Sequence, residues 1–234
     1  MGFLRPASAQ SITAALADVA SFSSFFSITV SDDDAGWHPI EEDYARGFPD
    51  LITRTTARYD TREQRIGASI VQLGHAARLW SPMLACAVVH GVVPDLTPLH
   101  RADDGPALRL PTPSGRHVEG NAHAELIHVL YRAVVVTHLE ALAAGLRVKV
   151  APRLLYGNAA SALAEAGRAV LAARPDLAEP ARRLTTDLLV TGRLAGLGDV
   201  TGPDLTFRRR TCCLYYRVPG GVKCGDCSLD GKQI

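Results

Sequence analysis

The chain has 234 residues, 47% of them hydrophobic and 21% charged, with a formal net charge of +1. That composition excludes a disordered chain, and the length fits one large domain or a domain with a small appendage. Near-neutral charge argues against a nucleic-acid binder that works by bulk electrostatics, so no nucleic-acid partner is expected.

The first residues show no cationic lead followed by an apolar stretch, so no secretory signal is expected. Ile12, Leu16, Val19, Phe22 and Phe26 recur at helical spacing and predict a helix over 11–26. Residues 31–44 are acidic and turn-rich (Asp32, Asp33, Asp34, Gly36, Pro39) and read as a surface loop. Ile66, Ile70, Leu73, Ala77 and Trp80 mark a second helix that stops near Pro82, with Trp80 as a core residue. The longest apolar run, 83–93, is about half of the ~20 residues a membrane span needs, and His90 interrupts it. It predicts a buried third helix ended by Gly91, and no membrane span. Cys86 within it reads as a small core residue, and His75 and His90 as hydrogen-bonded core histidines.

Pro94, Pro98 and Gly105 punctuate a loop, and Leu108 and Leu110 alternate with polar neighbours as a short strand. A long helix is predicted over 119–144, then a strand over 146–150, where Leu146, Val148 and Val150 alternate with Arg147 and Lys149. Asn158 reads as the N-cap of a helix over 159–173. A last helix covers 177–190, with Pro180 in its first turn. The predicted class is mainly α with a few short strands (α+β).

Composition shifts after a glycine-rich stretch, 192–202. Residues 201–234 carry six Lys or Arg and three acids, so this tail is +3 while the remainder is −2. The expected organisation is a helical body, 1–200, and a small cysteine module, 201–234. Four of the five cysteines lie in the module: Cys212, Cys213, Cys224 and Cys227. A disulfide framework would spread its cysteines over the fold it staples; this clustering reads as a ligand set in a reduced, cytoplasmic protein.

The spacing is Cys-Cys-x10-Cys-x2-Cys. A β-prone segment and the Pro219-Gly220-Gly221 turn predict a hairpin-like loop that brings the two pairs together. Gly225 lets backbone amides approach the sulfurs. Four thiolates suit a zinc ion or an iron–sulfur cluster, and Cys224 with Cys227 alone would suit a redox disulfide. Adjacent cysteines on extended backbone point to opposite faces, which a two-iron unit tolerates better than a single zinc ion. The basic tail also suits an anionic cluster.

The run Arg209-Arg210-Thr211-Cys212-Cys213-Leu214-Tyr215-Tyr216-Arg217, followed by Cys224-Gly225-Asp226-Cys227, resembles the C-terminal signature of the ferric-siderophore reductase (FhuF-like) family. Leu79-Trp80-Ser81-Pro82 and 156–163 are similar to the helical body of actinobacterial members. The resemblance covers 60–230 and implies that Cys212, Cys213, Cys224 and Cys227 bind a [2Fe–2S] cluster. It also implies a one-electron reductase that acts on a ferric siderophore and releases Fe(II). No Gly-x-Gly-x-x-Gly turn follows a convincing strand, so an external electron donor of ferredoxin or flavin type is expected. Two other functions stay open: a zinc-stapled interaction module, and an electron carrier for siderophore biosynthesis. Arg208, Arg209, Arg210 and Arg217 would tune the cluster, dock an acidic donor or face solvent. Tyr215 and Tyr216 read as hairpin packing residues.

Overall fold

A computed structural model describes residues 4–120 and 122–229. In chain order come β1 (Leu4–Pro6), α1 (Ala9–Val19), β2 (Thr29–Val30), β3 (Trp37–Pro39), α2 (Ile40–Arg46), α3 (Pro49–Arg58) and α4 (Gln64–His90). Then follow β4 (Val92–Pro94), β5 (His100–Ala102), β6 (Leu108–Leu110), β7 (Gly115–Val118) and α5 (His123–Tyr131). A π-helical segment (Arg132–Leu139) joins α5 to α6 (Glu140–Gly145). The chain closes with α7 (Pro152–Ala173), α8 (Ala178–Leu189), β8 (Gly198–Val200) and β9 (Phe207–Arg209). Helix dominates and the strands are short, so the fold is mainly α with a few strands.

The organising element is α4. Its residues 79–86 are all buried, and α3, α7 and the first helix pack against it. The predicted break at Pro82 does not occur: one helix runs through it, and the residue itself is buried. Proline removes one backbone hydrogen bond; here packing on every side of the helix outweighs that loss. Trp80 is fully buried, as its helical spacing predicts.

Three small sheets flank the helices. Their orders are β1-β7-β4, β2-β6-β5-β3 and β8-β9, antiparallel except for the β2–β6 pair. The acidic stretch 31–44 is therefore more than a surface loop. It contains β3 and the start of α2, and it wraps a fully buried cation, Arg109. That guanidinium donates to the carbonyls of Ser31 and Asp33 and pairs with the Asp34 carboxylate. The first predicted helix ends early, at Val19, and Phe26 reaches the core from a separate helical turn.

The stretch 146–150 keeps its alternating burial but forms no strand, because no described strand lies beside it. By length and composition alone, the 23-residue run His123–Gly145 (mean hydropathy 1.4) could cross a membrane. Leu126, Leu130, Val134, Val135, Leu139 and Leu142 instead join the same core as α4, which is how a core helix behaves.

Candidate metal centre

The C-terminal segment lies across α4 and α7, and polar struts hold it there. On α7, Gly157, Asn158 and Ser161 share one face by helical spacing. A Cβ at Gly157 would stand 1.9 Å from Thr211 Oγ1, so only glycine lets the chain come this close. Asn158 is an interior residue of α7, not its N-cap, because the helix starts six residues earlier at Pro152. Its side chain is fully buried, donating to the Ser69 carbonyl and to Gln72 Oε1, each at 3.0 Å. Ser69 Oγ donates in turn to the Cys213 carbonyl at 2.8 Å. Ser161 bonds the Asp226 carboxylate. Arg217 reaches Glu63 at 2.7 Å, and the Tyr215 ring packs edge-on against Tyr59.

These contacts gather the cysteines. Between the pairs the chain makes a single 3-10 turn, Tyr215–Arg217, rather than the predicted hairpin. It still brings Cys213 Sγ to 3.6 Å from Cys224 Sγ. Backbone amides aim at the sulfurs: Leu214 N–H at Cys212 Sγ (3.3 Å) and Leu229 N–H at Cys227 Sγ (3.4 Å). All four cysteines are free thiols. The close Cys224 sulfur, the Tyr215 amide and the Arg209 charge hold the Cys213 thiol down at about 6. Cys224 moves the other way, as the partner that keeps its proton beside a thiolate. Burial raises the Cys212 thiol.

Arg209 supplies the charge. It follows the period-2 pattern of β9, so it points inward with Phe207 and is 2% exposed. One nitrogen donates to Asn158 Oδ1 at 2.5 Å, while Nε and Nη1 are buried without a partner among the described residues. A buried cation with two idle N–H groups needs an anion. The neighbouring groups it acts on electrostatically are Cys212 and Cys213.

Those observations fit an anionic, sulfur-ligated group. Two thiolates on one tetrahedral metal, with metal–sulfur bonds of about 2.3 Å, lie about 3.7 Å apart, close to the Cys213–Cys224 separation. Among the described residues no three of His, Cys, Asp or Glu converge as ligands of one metal ion. The fit therefore rests on the close sulfur pair, the amide donors and the buried cation. Residues 209–229 match the family model described as the FhuF 2Fe-2S C-terminal domain. The chain carries an FhuF-type 2Fe-2S domain. Its cofactor is thus a [2Fe–2S] cluster, and the matched stretch begins at the buried Arg209. No curated protein and no solved structure matches the chain.

The other singled-out residues divide clearly around the FhuF-type domain. Arg210 pairs with Asp199 at 2.8 Å and faces outward. Cys86 sits fully buried in α4, its thiol pushed up to about 12 by burial. His75 is buried and bonds Tyr44 Oη, which also bonds His138. His90 is partly exposed and bonds Asp18. Ser69, Gln72, Asn158, Ser161 and Gly157 escape a reading based on cysteine spacing. Their signal is polarity out of place: Ser69 and Gln72 stand three apart among the apolar residues of α4.

Proposed function

We propose that this protein is a ferric-siderophore reductase, with Cys212, Cys213, Cys224 and Cys227 as the cluster ligands. The observation that carries the reading is the matched 2Fe-2S domain with its cysteines gathered beside the unpaired, buried Arg209. In this reading residues 1–200 form the helical body and 201–234 the cluster module. The reaction belongs in the cytoplasm, where free thiolates survive.

When bound, the cluster supplies one electron at a time. Siderophores hold Fe(III) through hard oxygen donors and hold Fe(II) weakly. A one-electron reduction of the substrate Fe(III) to Fe(II) would therefore let the chelator release the metal. The electron would come from an external one-electron donor of ferredoxin or flavin type. The chain's own residues bind and bias the cluster. Arg209 offsets its negative charge, and the amides of Leu214, Tyr215 and Leu229 donate to ligand sulfur. Both effects favour the reduced, more negative form.

The test is a single turnover. Protein reduced with dithionite and desalted anaerobically is mixed with a ferric siderophore and a chromogenic Fe(II) trap. The expected result is about one trapped Fe(II) per chain, as a one-electron cluster requires. No Fe(II) above a protein-free control would overturn the reading.

A further inference from the structure

A cavity of about 470 Å³ opens between strands β4 and β7 and the π-helical segment. Its lining includes none of the cysteines and none of the residues that tether them. Its size is that of a small-molecule site, on the order of 300–1,000 Å³. The helical wall belongs to α5 and to the π-helical segment Arg132–Leu139, a wide-turned geometry that recurs at functional sites.

The polar groups in this lining are idle. Arg116 on β7 and Arg132 at the start of the π-helical segment both line the cavity. Among the described residues neither has a carboxylate, carbonyl or ring partner. His138 lines it from the other end of the same segment and is 2% exposed. Burial pushes this imidazole down to about 4, so it is neutral at physiological pH. Its Nδ1 lies 2.9 Å from Tyr44 Oη, which also bonds His75. The nearby Leu96 carbonyl favours a proton on the other ring nitrogen, Nε2. Nδ1 then accepts from the Tyr44 hydroxyl, and Nε2–H is buried with no hydrogen-bond partner among the described residues. A buried donor left unmet costs free energy until an acceptor arrives. Asp95 is the one acid in the lining. One of its oxygens takes the Thr97 amide at 2.9 Å, and the other has no donor among the described residues.

We propose that this cavity binds the phosphate monoester of a small sugar, either a sugar phosphate or a nucleoside monophosphate. A phosphoryl group presents three terminal oxygens, and the lining offers three uncommitted donors in Arg116, Arg132 and His138. The guanidinium fork matches phosphate geometry, and its charge strengthens each bond. Two guanidiniums against one carboxylate leave the lining positive. The open Asp95 oxygen repels a second anionic group and accepts a hydroxyl, which favours a polyol body over a polyanion. Val93, Pro94, Leu96, Val129 and Ala133 supply an apolar wall for a sugar or base face. This site is independent of the reductase reading, because no step of electron transfer enters it.

The test is calorimetric titration of cluster-loaded, full-length protein at fixed ionic strength. The probes are ribose 5-phosphate, adenosine 5′-monophosphate, inorganic phosphate, ribose and adenosine. Each ester should bind at least about tenfold more tightly than inorganic phosphate and than its unphosphorylated parent, and Arg116→Gln or Arg132→Gln should each weaken it about tenfold, the loss of one charge-assisted contact. Both arginines are exposed, so these variants keep the fold. Thr137 is exposed at the same cavity, and Thr137→Phe should block binding with the cluster spectrum unchanged. Arg168→Gln, at a different cavity, should leave binding unchanged. Tighter binding of the nucleotide would identify a nucleoside monophosphate as the ligand class, and equal binding of the two esters a sugar phosphate. Esters that bind no better than inorganic phosphate or their parents would overturn the inference. So would binding indifferent to the three cavity variants, or weakened equally by Arg168→Gln.

Discussion

The α4–α7 core and the cysteine segment are held together by opposite means. The core is apolar and regular: α4 is buried on every side over 79–86, and α7 contributes alanines and Leu163 to the same cluster. Among its described residues the segment after β9 has one 3-10 turn and no strand, and it hangs on side-chain struts from Ser69, Ser161 and Glu63, with Asn158 holding Arg209 at the end of β9. Burial of apolar area fixes a helix pair without help. A short polar loop has no such term, so it depends on its hydrogen bonds and on what its cysteines hold. The part that carries the chemistry is thus the part with least structure of its own.

The sharpest way to break this contrast is Cys224→Ser. We expect loss of the visible absorption and of bound iron and sulfide, with most far-UV helical signal retained. Collapse of the helical signal would mean that the core depends on the cluster. Acid should act in the opposite sense, on the core. Burial lowers His75 well below the usual imidazole value and His138 to about 4, so the folded state refuses protons that the unfolded chain takes up. Stability from these histidines is full above about pH 6.5 and falls as pH drops towards about 4, by on the order of 3 kcal/mol for His138. Urea unfolding of the Cys224→Ser chain across that range reads the core alone; a flat profile would contradict the assignment.

Gly157→Ala tests the seam between the two regions. Its Cβ would collide with Thr211, next to Cys212. Overpacking of this kind costs about 1–3 kcal/mol, and we expect faster cluster loss on air exposure with unchanged helix content. Arg209→Met removes the buried positive charge and should lower the cluster's reduction potential by roughly 60 mV, the equivalent of a tenfold change for one electron. An unchanged potential in a redox titration would show that Arg209 serves only to seat Asn158. Cys86→Ala is the control with the smallest effect: the visible spectrum stays, because that thiol lies in the core.

Patterns that repeat were readable in the amino-acid sequence. The helical spacing around Trp80, the strand at Leu108–Leu110 and the helix with Pro180 in its first turn all follow from periodicity and capping. The cysteine spacing and the residues around it identified the 2Fe-2S domain. What escaped depends on distant partners. Pro82 looks like a stop until the surroundings of α4 are known. The alternation at 146–150 looks like a strand until no neighbour is found for it. Asn158 looks like a cap, yet it ties α4, α7 and β9 together through Ser69, Gln72 and Arg209. The inward turn of Arg209 follows from Leu205 and Phe207 at period 2, but its missing partner emerges only in three dimensions.

The assignment of four cysteines to one cluster is tested most directly by iron and sulfide analysis of anaerobically purified protein, paired with EPR after dithionite reduction. The account predicts a reddish-brown protein with about two irons and two sulfides per chain. It also predicts a signal from a single reduced cluster that disappears when any one of Cys212, Cys213, Cys224 or Cys227 is changed to serine. A colourless protein holding one zinc ion, or an unchanged signal in any of those four variants, would contradict it.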